Sequence, residues 1–336
     1  HNQPRIPKGG NYYNLLSNDI KKWQISLAKT YGIYGFCMYH YWFGGKLLLE
    51  KPVEQYLEDK SLDFPFCICW ANENWTNAWK SDNNKVLIEQ HYGGKEEWKA
   101  HFEYLSPFFQ DKRYIKVDGK PLFLLYRPEL ISTLNEMLDY WQELAYKDGL
   151  GRIAFAYQKT DKAELYRKDD SRFDYNIEYQ PGFAGKWLEK KTHRLLRRLK
   201  QNGCLMLDKI FKTSRFSTIR FESQLEKRDY MKYWEKILEH KPEDEKCVPG
   251  AFVDWDNTPR RGMRGSIFQN VCPELFYNYM KKQIIHTREQ YHKDMMFIFA
   301  WNEWGEGGYL EPDEYNGMKM LQALKRALIE CGEFPW

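Results

Sequence analysis

The strongest constraint on the fold of this chain is a rhythm. Short apolar or β-rich runs end in polar and aromatic residues, and each is followed by a stretch patterned as a helix. Such alternation predicts a parallel sheet whose strands are joined by crossover helices. Seven runs qualify as strands: Gly32–Tyr41, Phe64–Trp70, Pro121–Arg127, Arg152–Gln158, Phe173–Tyr179, Val248–Trp255 and Met296–Trp301. Between them, Ser17–Tyr31 reads as a helix capped by Ser17 or Asn18, with Ile20, Trp23, Ile25, Leu27 and Ala28 on its apolar face. Lys95–Phe109, Ile131–Lys147, Pro273–Lys293 and Met318–Cys331 carry similar patterns. A chain of 336 residues has room for an α/β barrel of about 250 residues with insertions. The expected class is α/β, a (β/α)8 TIM barrel forming one catalytic domain over residues 1–336. Its first strand is expected upstream of residue 1 or missing, because seven strands are visible and eight are needed.

The rhythm breaks once. Residues 186–232 hold 14 Lys or Arg against five Asp or Glu and include KKTHRLLRRLKQ, far more chain than the two to six residues of an ordinary barrel connection. We expect a basic, mainly helical insertion over residues 182–247, after the sixth visible strand. Charge runs on helices ordinarily face water. The alternative is a footprint for an anionic glycan, a lipid diphosphate or a membrane surface.

Over the whole chain the charge is +4, 51 basic against 47 acidic residues, which by itself points to neither nucleic acid nor membrane. No run approaches the roughly 20 apolar residues of a membrane span, and the first residues lack the form of a signal peptide. Of seven cysteines, Cys37, Cys67 and Cys69 lie in apolar runs, and an odd count does not make a fully paired framework. A reducing, cytoplasmic location is the expectation, although His1 in place of Met is compatible with a trimmed N-terminus.

In a barrel the active site lies at the C-terminal ends of the strands. Those ends carry one kind of chemistry: His40, Tyr41 and Trp42; Trp70, Asn72, Glu73, Asn74, Trp75 and Trp79; Tyr126, Arg127 and Glu129; Tyr157 and Gln158; Glu178, Tyr179 and Gln180; Asp254, Trp255, Asp256 and Asn257; and Trp301, Asn302, Glu303, Trp304 and Glu306. Aromatic faces stack on the C–H face of a pyranose while amides, carboxylates and Arg hydrogen-bond its hydroxyls, so a sugar-binding site is expected. Taken singly, each has a plainer role: a Trp can cap the core, and an acidic residue can cap a helix or pair with Arg127, Arg260 or Arg261. Seven strand ends with the same chemistry argue for a site.

Other chemistries lack their signatures. GxSxG, Walker A, HExxH and dinucleotide fingerprints are absent. Cys67-Ile68-Cys69 has a one-residue gap and no second pair, and His40 and His91 share no helix, so no metal or other cofactor is expected. Two carboxylates are the minimum equipment for glycoside hydrolysis, and Glu303 and Glu306, three apart in WNEWGEGGYLEP, are the best-placed pair. Mutual repulsion and burial beside Trp301 and Trp304 should keep one of them protonated as an acid. The plainer reading has Glu306 capping the turn before Gly307-Gly308.

The segments WANENWT (70–76), WDNTPRRG (255–262) and WNEWGEGGYLEPD (301–313), with NQPRIP (2–7) and YYNL (12–15), resemble those of the WbsX-like domain family. Its members are described as glycosyltransferases of surface-polysaccharide biosynthesis and are related to glycoside hydrolase family 99. The resemblance covers nearly the whole chain and implies a (β/α)8 barrel with a strand ahead of the NQPRIP region. In family 99, endo-acting mannoside hydrolases, the second glutamate of an ExxE pair is the general acid/base. The first deprotonates the substrate's own 2-hydroxyl, giving a 1,2-anhydro sugar. Carried over, Glu303 is the base and Glu306 the acid/base, and no enzyme nucleophile is needed. One departure stands out: family 99 has EWHE where this chain has Glu303-Trp304-Gly305-Glu306, so glycine replaces histidine. The expected function is a retaining, endo-acting glycoside hydrolase or transglycosylase on an α-linked bacterial surface or capsular polysaccharide. The alternatives are a glycosyltransferase of O-antigen, capsule or cell-surface polysaccharide biosynthesis, and a glycan-binding barrel without catalysis.

Overall fold

The computed structural model describes residues 2–76, 86–160, 169–188 and 225–336. Trp79 and the centre of the basic insertion lie outside the described residues.

All seven expected strands form, and all run parallel. They are β1 (Phe36–Phe43), β2 (Phe66–Trp70), β3 (Lys120–Leu125), β4 (Ala154–Lys159), β5 (Tyr175–Glu178), β6, interrupted at Pro249 into Cys247–Val248 and Gly250–Phe252, and β7 (Phe297–Phe299). Each pairs with the next in chain order: Cys37 opposite Cys67, Cys69 opposite Leu124, Phe123 opposite Phe155, Gln158 opposite Ile177, Val248 opposite Ile177, and Phe252 opposite Phe299. Every C-terminal end therefore faces one rim.

The ring does not close. Among the described residues β7 pairs with no strand but β6, and β1 pairs with β2 and with a short antiparallel strand at Lys46–Leu48. The seven expected strands thus form a parallel sheet whose two end strands, among the described residues, are not hydrogen-bonded to each other. Side chains bridge them instead: the rings of Phe36 and Trp301 lie 5.3 Å apart.

The crossovers are helical. α1 (Asn18–Tyr31) starts after Ser17 as expected and ends at Gly32, whose positive φ supplies the left-handed cap. It buries Ile25 and Ala28, but also Lys21 and Gln24, whose side chains bond Gln55 and Glu311. α2 (Lys51–Glu58), α3 (Lys95–Gln110), α4 (Leu134–Lys147), α5 (Gly182–Leu188), α6 (Tyr230–Glu239), α7 (Pro273–Glu289) and α8 (Lys319–Cys331) follow. Two apolar clusters fill the interior. The first packs β1–β5 against α3 and α4 through Phe66, Phe123, Trp141 and Phe155. The second packs β6 against α6, α7 and α8, with Trp234 stacked between Phe252 and Tyr279 at 5.2 and 5.6 Å.

α6 revises the expected insertion. Tyr230 and Trp234 are fully buried against β6, and the short strand Glu226–Asp229 pairs in parallel with Ser266–Gln269. Residues 225–247 thus contribute to the core rather than to a solvated excursion; the repeated aromatics of YMKYWEKILE at helical spacing are the reason. Among the described residues no helix is long and apolar enough to cross a membrane.

Candidate active site

Two tight features follow β7. Asn302–Glu303 and Gly308–Tyr309 form a miniature antiparallel pair, closed by a 3-10 turn at Trp304–Glu306 and by Gly307 at φ 67, a conformation glycine adopts without strain. This hairpin throws Glu303 and Glu306 to the rim.

Arg260, on the short helical turn Thr258–Arg261 after β6, spans the pair. Its Nη2 donates to Glu303 Oε1 at 2.9 Å and its Nη1 to Glu306 Oε1 at 3.2 Å. The side chains are partly enclosed: Arg260 is 36% exposed, Glu303 31% and Glu306 15%. Burial, and then the neighbouring Glu303, push the Glu306 carboxyl up to about 7, against the opposing charges of Arg260 and Arg261. A carboxylic acid with a pKa near neutrality can hold a proton and release it at working pH.

Around the pair stands a tyrosine-rich wall. Tyr41, which is near enough to feel the charges of Glu303, Arg260 and Glu73, packs edge-on to Trp75 at 5.2 Å. Tyr39, Tyr126, Tyr179, Phe299 and Trp255 form a chain of ring contacts at 6.3, 6.1, 5.4 and 5.6 Å. The Tyr39 hydroxyl shares hydrogen bonds with the Gln158 side chain. Burial holds the phenols of Tyr126 and Tyr179 above the ordinary tyrosine range, so they stay protonated and can donate. Arg127 pairs with Glu129 and, at 3.2 Å, with Glu73.

The N-terminal segment straps the hairpin down. Arg5 donates to Asp254 at 2.7 Å and to the Gly307 carbonyl at 3.1 Å, and Gln3 donates to Asp256. The Asp256 amide in turn donates to the Glu306 carbonyl at 2.8 Å. Further along, buried Glu311 accepts from Tyr13, Gln24 and the Trp304 indole, which stacks on Tyr309. Asn302 reaches the Tyr13 hydroxyl. NQPRIP, YYNL, WDNTPRRG and WNEWGEGGYLEPD therefore meet at one place.

Of the strand-end residues singled out by sequence, the structure brings Tyr41, Glu73, Trp75, Tyr126, Arg127, Gln158, Tyr179, Asp254, Trp255, Glu303 and Glu306 to or beneath this rim. Others go elsewhere. Successive residues of a strand point to opposite faces, so His40 and Trp42 leave the face of Tyr39 and Tyr41 and pack against α3. His40 meets His101 at 2.9 Å, and Trp42 bonds Glu97. Trp70 is buried beside His101, its indole bonded to the Trp42 carbonyl. Glu178 is buried behind β5 with His240 and Tyr291 at 3.0 and 2.8 Å. Asn72 and Asn257 tie backbones, to Arg127 and Ser266 respectively. Trp301 packs on Phe36, and exposed Asn302 and half-buried Trp304 border the hairpin. The sequence did not single out Tyr39 or Arg5, and it offered Arg260 only as one of three arginines able to pair with a strand-end carboxylate, not as a bridge between two.

Comparison with known proteins agrees with this architecture. Superposition on a protein titled a glycoside hydrolase-like protein covers 99% of this chain and 90% of that one, with a TM-score of 0.57 and 11% identity. The GH99 endo-alpha-mannosidase of Bacteroides thetaiotaomicron matches over 98% of this chain and 83% of its own, with a TM-score of 0.55 and 15% identity. At such identities the likeness speaks for the fold: a mixed α/β fold with a parallel sheet, similar to GH99 barrels. By sequence the chain is 32% identical, over 98% of its length, to the uncharacterized protein WxcX of Xanthomonas campestris pv. campestris strain B100, and 31% identical to WxcX of strain ATCC 33913. It spans 44% of the length of these relatives. Residues 1–324 match the family described as Glycosyltransferase WbsX, so the chain belongs to the WbsX family.

Proposed function

We propose that this chain is a glycan-cleaving or glycan-transferring enzyme of the family 99 type, in which Glu306 is the general acid/base and Glu303 the base. The observation that carries the reading is the state of the pair. Glu306 is enclosed next to a second carboxylate and pushed up to about 7, at a rim of phenols and indoles suited to a sugar. In the proposed sequence Glu303 takes the proton of the sugar's 2-hydroxyl, whose oxygen attacks the anomeric carbon. Glu306 gives its proton to the departing glycosidic oxygen. Water or an acceptor hydroxyl then opens the 1,2-anhydro sugar, returning both protons and retaining the anomeric configuration. An α-linked, internally cleaved bacterial polysaccharide is the proposed substrate; the endo-mannosidase named among the structural neighbours supports that class. The reading takes the fold as a (β/α)8-type barrel, supported by strands that follow one another in chain order.

The test is incubation with a panel of bacterial surface polysaccharides and α-linked aryl glycosides. Product should appear with the unaltered protein, and in Glu306→Gln it should vanish from the polysaccharides and from aryl glycosides with poor leaving groups; undiminished activity of that variant on these substrates contradicts the assignment. A second reading, transfer from an activated sugar donor, is favoured by the family's description as glycosyltransferases. Calorimetry against nucleotide sugars, with and without manganese, separates the two, since the hydrolase reading expects no donor binding.

A further inference from the structure

Gly305 sits between the two glutamates and directly under the Arg260 guanidinium. A Cβ at 305 would lie 2.5 Å from Arg260 Nε and Nη2 and 2.7 Å from its Cζ. Such distances are untenable. The three atoms nearest to that Cβ all belong to the Arg260 guanidinium, and Gly305 has no positive φ, so the closest collision is with the far end of one flexible side chain. The arginine rests there because position 305 carries no side chain. Beneath it the backbone is independently fixed: the Arg260 and Arg261 amides donate to the Asn257 carbonyl at 3.1 and 3.0 Å, and Asp256 accepts from the Thr258 amide at 3.0 Å. The turn thus holds its place whether or not the guanidinium does.

We propose that Arg260, admitted by Gly305, is the positioning residue of the carboxylate pair: a planar cationic fork that sets the spacing of Glu303 and Glu306 and moderates their repulsion. This rests on the acid/base roles proposed for those glutamates. Guanidinium geometry is suited to the task, because neighbouring nitrogens in a fixed plane reach the two acceptors at once. A lysine offers one compact charge and cannot hold both at fixed geometry. Arg260 and Gly305 then form one coupled device, not two independent residues.

The coupling gives a test with a readout apart from activity. The groups facing Glu306 are Glu303, Arg260, Arg261, Tyr126 and Tyr179. Removing Arg260 leaves the two carboxylates facing each other with less compensation, so the Glu306 proton should be held more tightly. Carboxyl 13C titration of glutamate-labelled protein, assigned with Glu306→Gln, follows this directly. In Arg260→Met the Glu306 midpoint should rise by about one pH unit or more. Gly305→Ala, which displaces the guanidinium without removing it, should raise it as well. Arg260→Met combined with Gly305→Ala should go no further than Arg260→Met alone, since the second change has nothing left to displace. Arg260→Lys should restore part of the shift, and its thermal transition serves as the folding control. With a glycan turned over by the unaltered protein, kcat should fall roughly 10- to 100-fold in Arg260→Met with a smaller change in KM. The alkaline limb of the rate profile should move up with the Glu306 midpoint.

An unmoved midpoint in Arg260→Met overturns the proposal, as does simple additivity of Arg260→Met and Gly305→Ala. The two readings fail separately. If no glycan is turned over or Glu306→Gln stays fully active on a polysaccharide, the function is wrong and the titration still decides the role of Arg260. If Glu306→Gln is dead while Arg260→Met titrates and reacts as the unaltered protein does, the function stands and the positioning role falls.

Discussion

Replacing Glu306 by Gln should make this protein more stable in mild alkali while removing its chemistry. Glu306 is enclosed, and its carboxyl is moved from the ordinary 4.5 to about 7. In the unfolded chain it returns to the ordinary value. Between those two pH values the folded state binds more protons than the unfolded one, so folding is weakened as pH rises through the window. Below about pH 4.5 the carboxyl is protonated in both states and the penalty is nil. Above about pH 7 the full penalty applies, on the order of 3 kcal/mol for a carboxylate held in this enclosed place. Gln has nearly the same shape, keeps an oxygen to accept from Arg260, and carries no charge. Urea denaturation of both proteins at pH 4, 6 and 8.5 measures the difference. Glu306→Gln should match the unaltered protein at pH 4 and exceed it by a few kcal/mol at pH 8.5, with an unchanged dependence on denaturant. Parallel curves at all three values would refute the argument that burial and Glu303 hold this group protonated. Sites that store such a penalty are commonly the ones that need it for reaction.

Three further outcomes are expected. Burial lowers His40 to about 3 and moves its partner His101 the same way, so folding loses support as pH falls below about 6.5 toward that value. His40→Leu with His101→Leu should flatten the acid limb of a stability profile, and an equally steep limb would count against the pair. Trp234→Ala, in the stack with Phe252 and Tyr279, should cost about 3–5 kcal/mol in urea unfolding without altering the titration of Glu306. Glu311→Ala releases Trp304 and Tyr13 together, and in steady-state kinetics on a cleaved glycan it should raise KM more than it lowers kcat.

Much of the fold was legible because its signal is local. Each strand is a short run and each crossover helix repeats its apolar residues at helical spacing, so α1, α3, α4, α7 and α8 fall within a few residues of their expected positions. The face of each strand was harder to read. All four residues of YHYW are aromatic, so nothing in the run says that Tyr39 and Tyr41 look toward the rim while His40 and Trp42 look toward α3. Glu178 misled as well: a carboxylate at a strand end proved to be the buried partner of His240 and Tyr291. The contacts that organise the candidate site are distant in sequence. Arg260 lies 43 residues from Glu303, and Arg5 lies 249 from Asp254, so no window could reveal either. Of the expected basic insertion, the centre lies outside the described residues; in its C-terminal part, residues 225–247, the buried Tyr230 and Trp234 tie the chain to the core.

In the proposed reaction everything turns on Glu306 delivering the proton to the departing oxygen. The most direct measurement compares the unaltered protein and Glu306→Gln on a series of aryl glycosides of the accepted sugar, with leaving groups ranging from poor to good. An acid catalyst matters most where the departing oxygen most needs a proton. The variant should therefore lose at least about 100-fold on the poorest leaving group and approach the unaltered rate on dinitrophenyl glycosides. Equal loss across the series, or no loss at all, would contradict the claim.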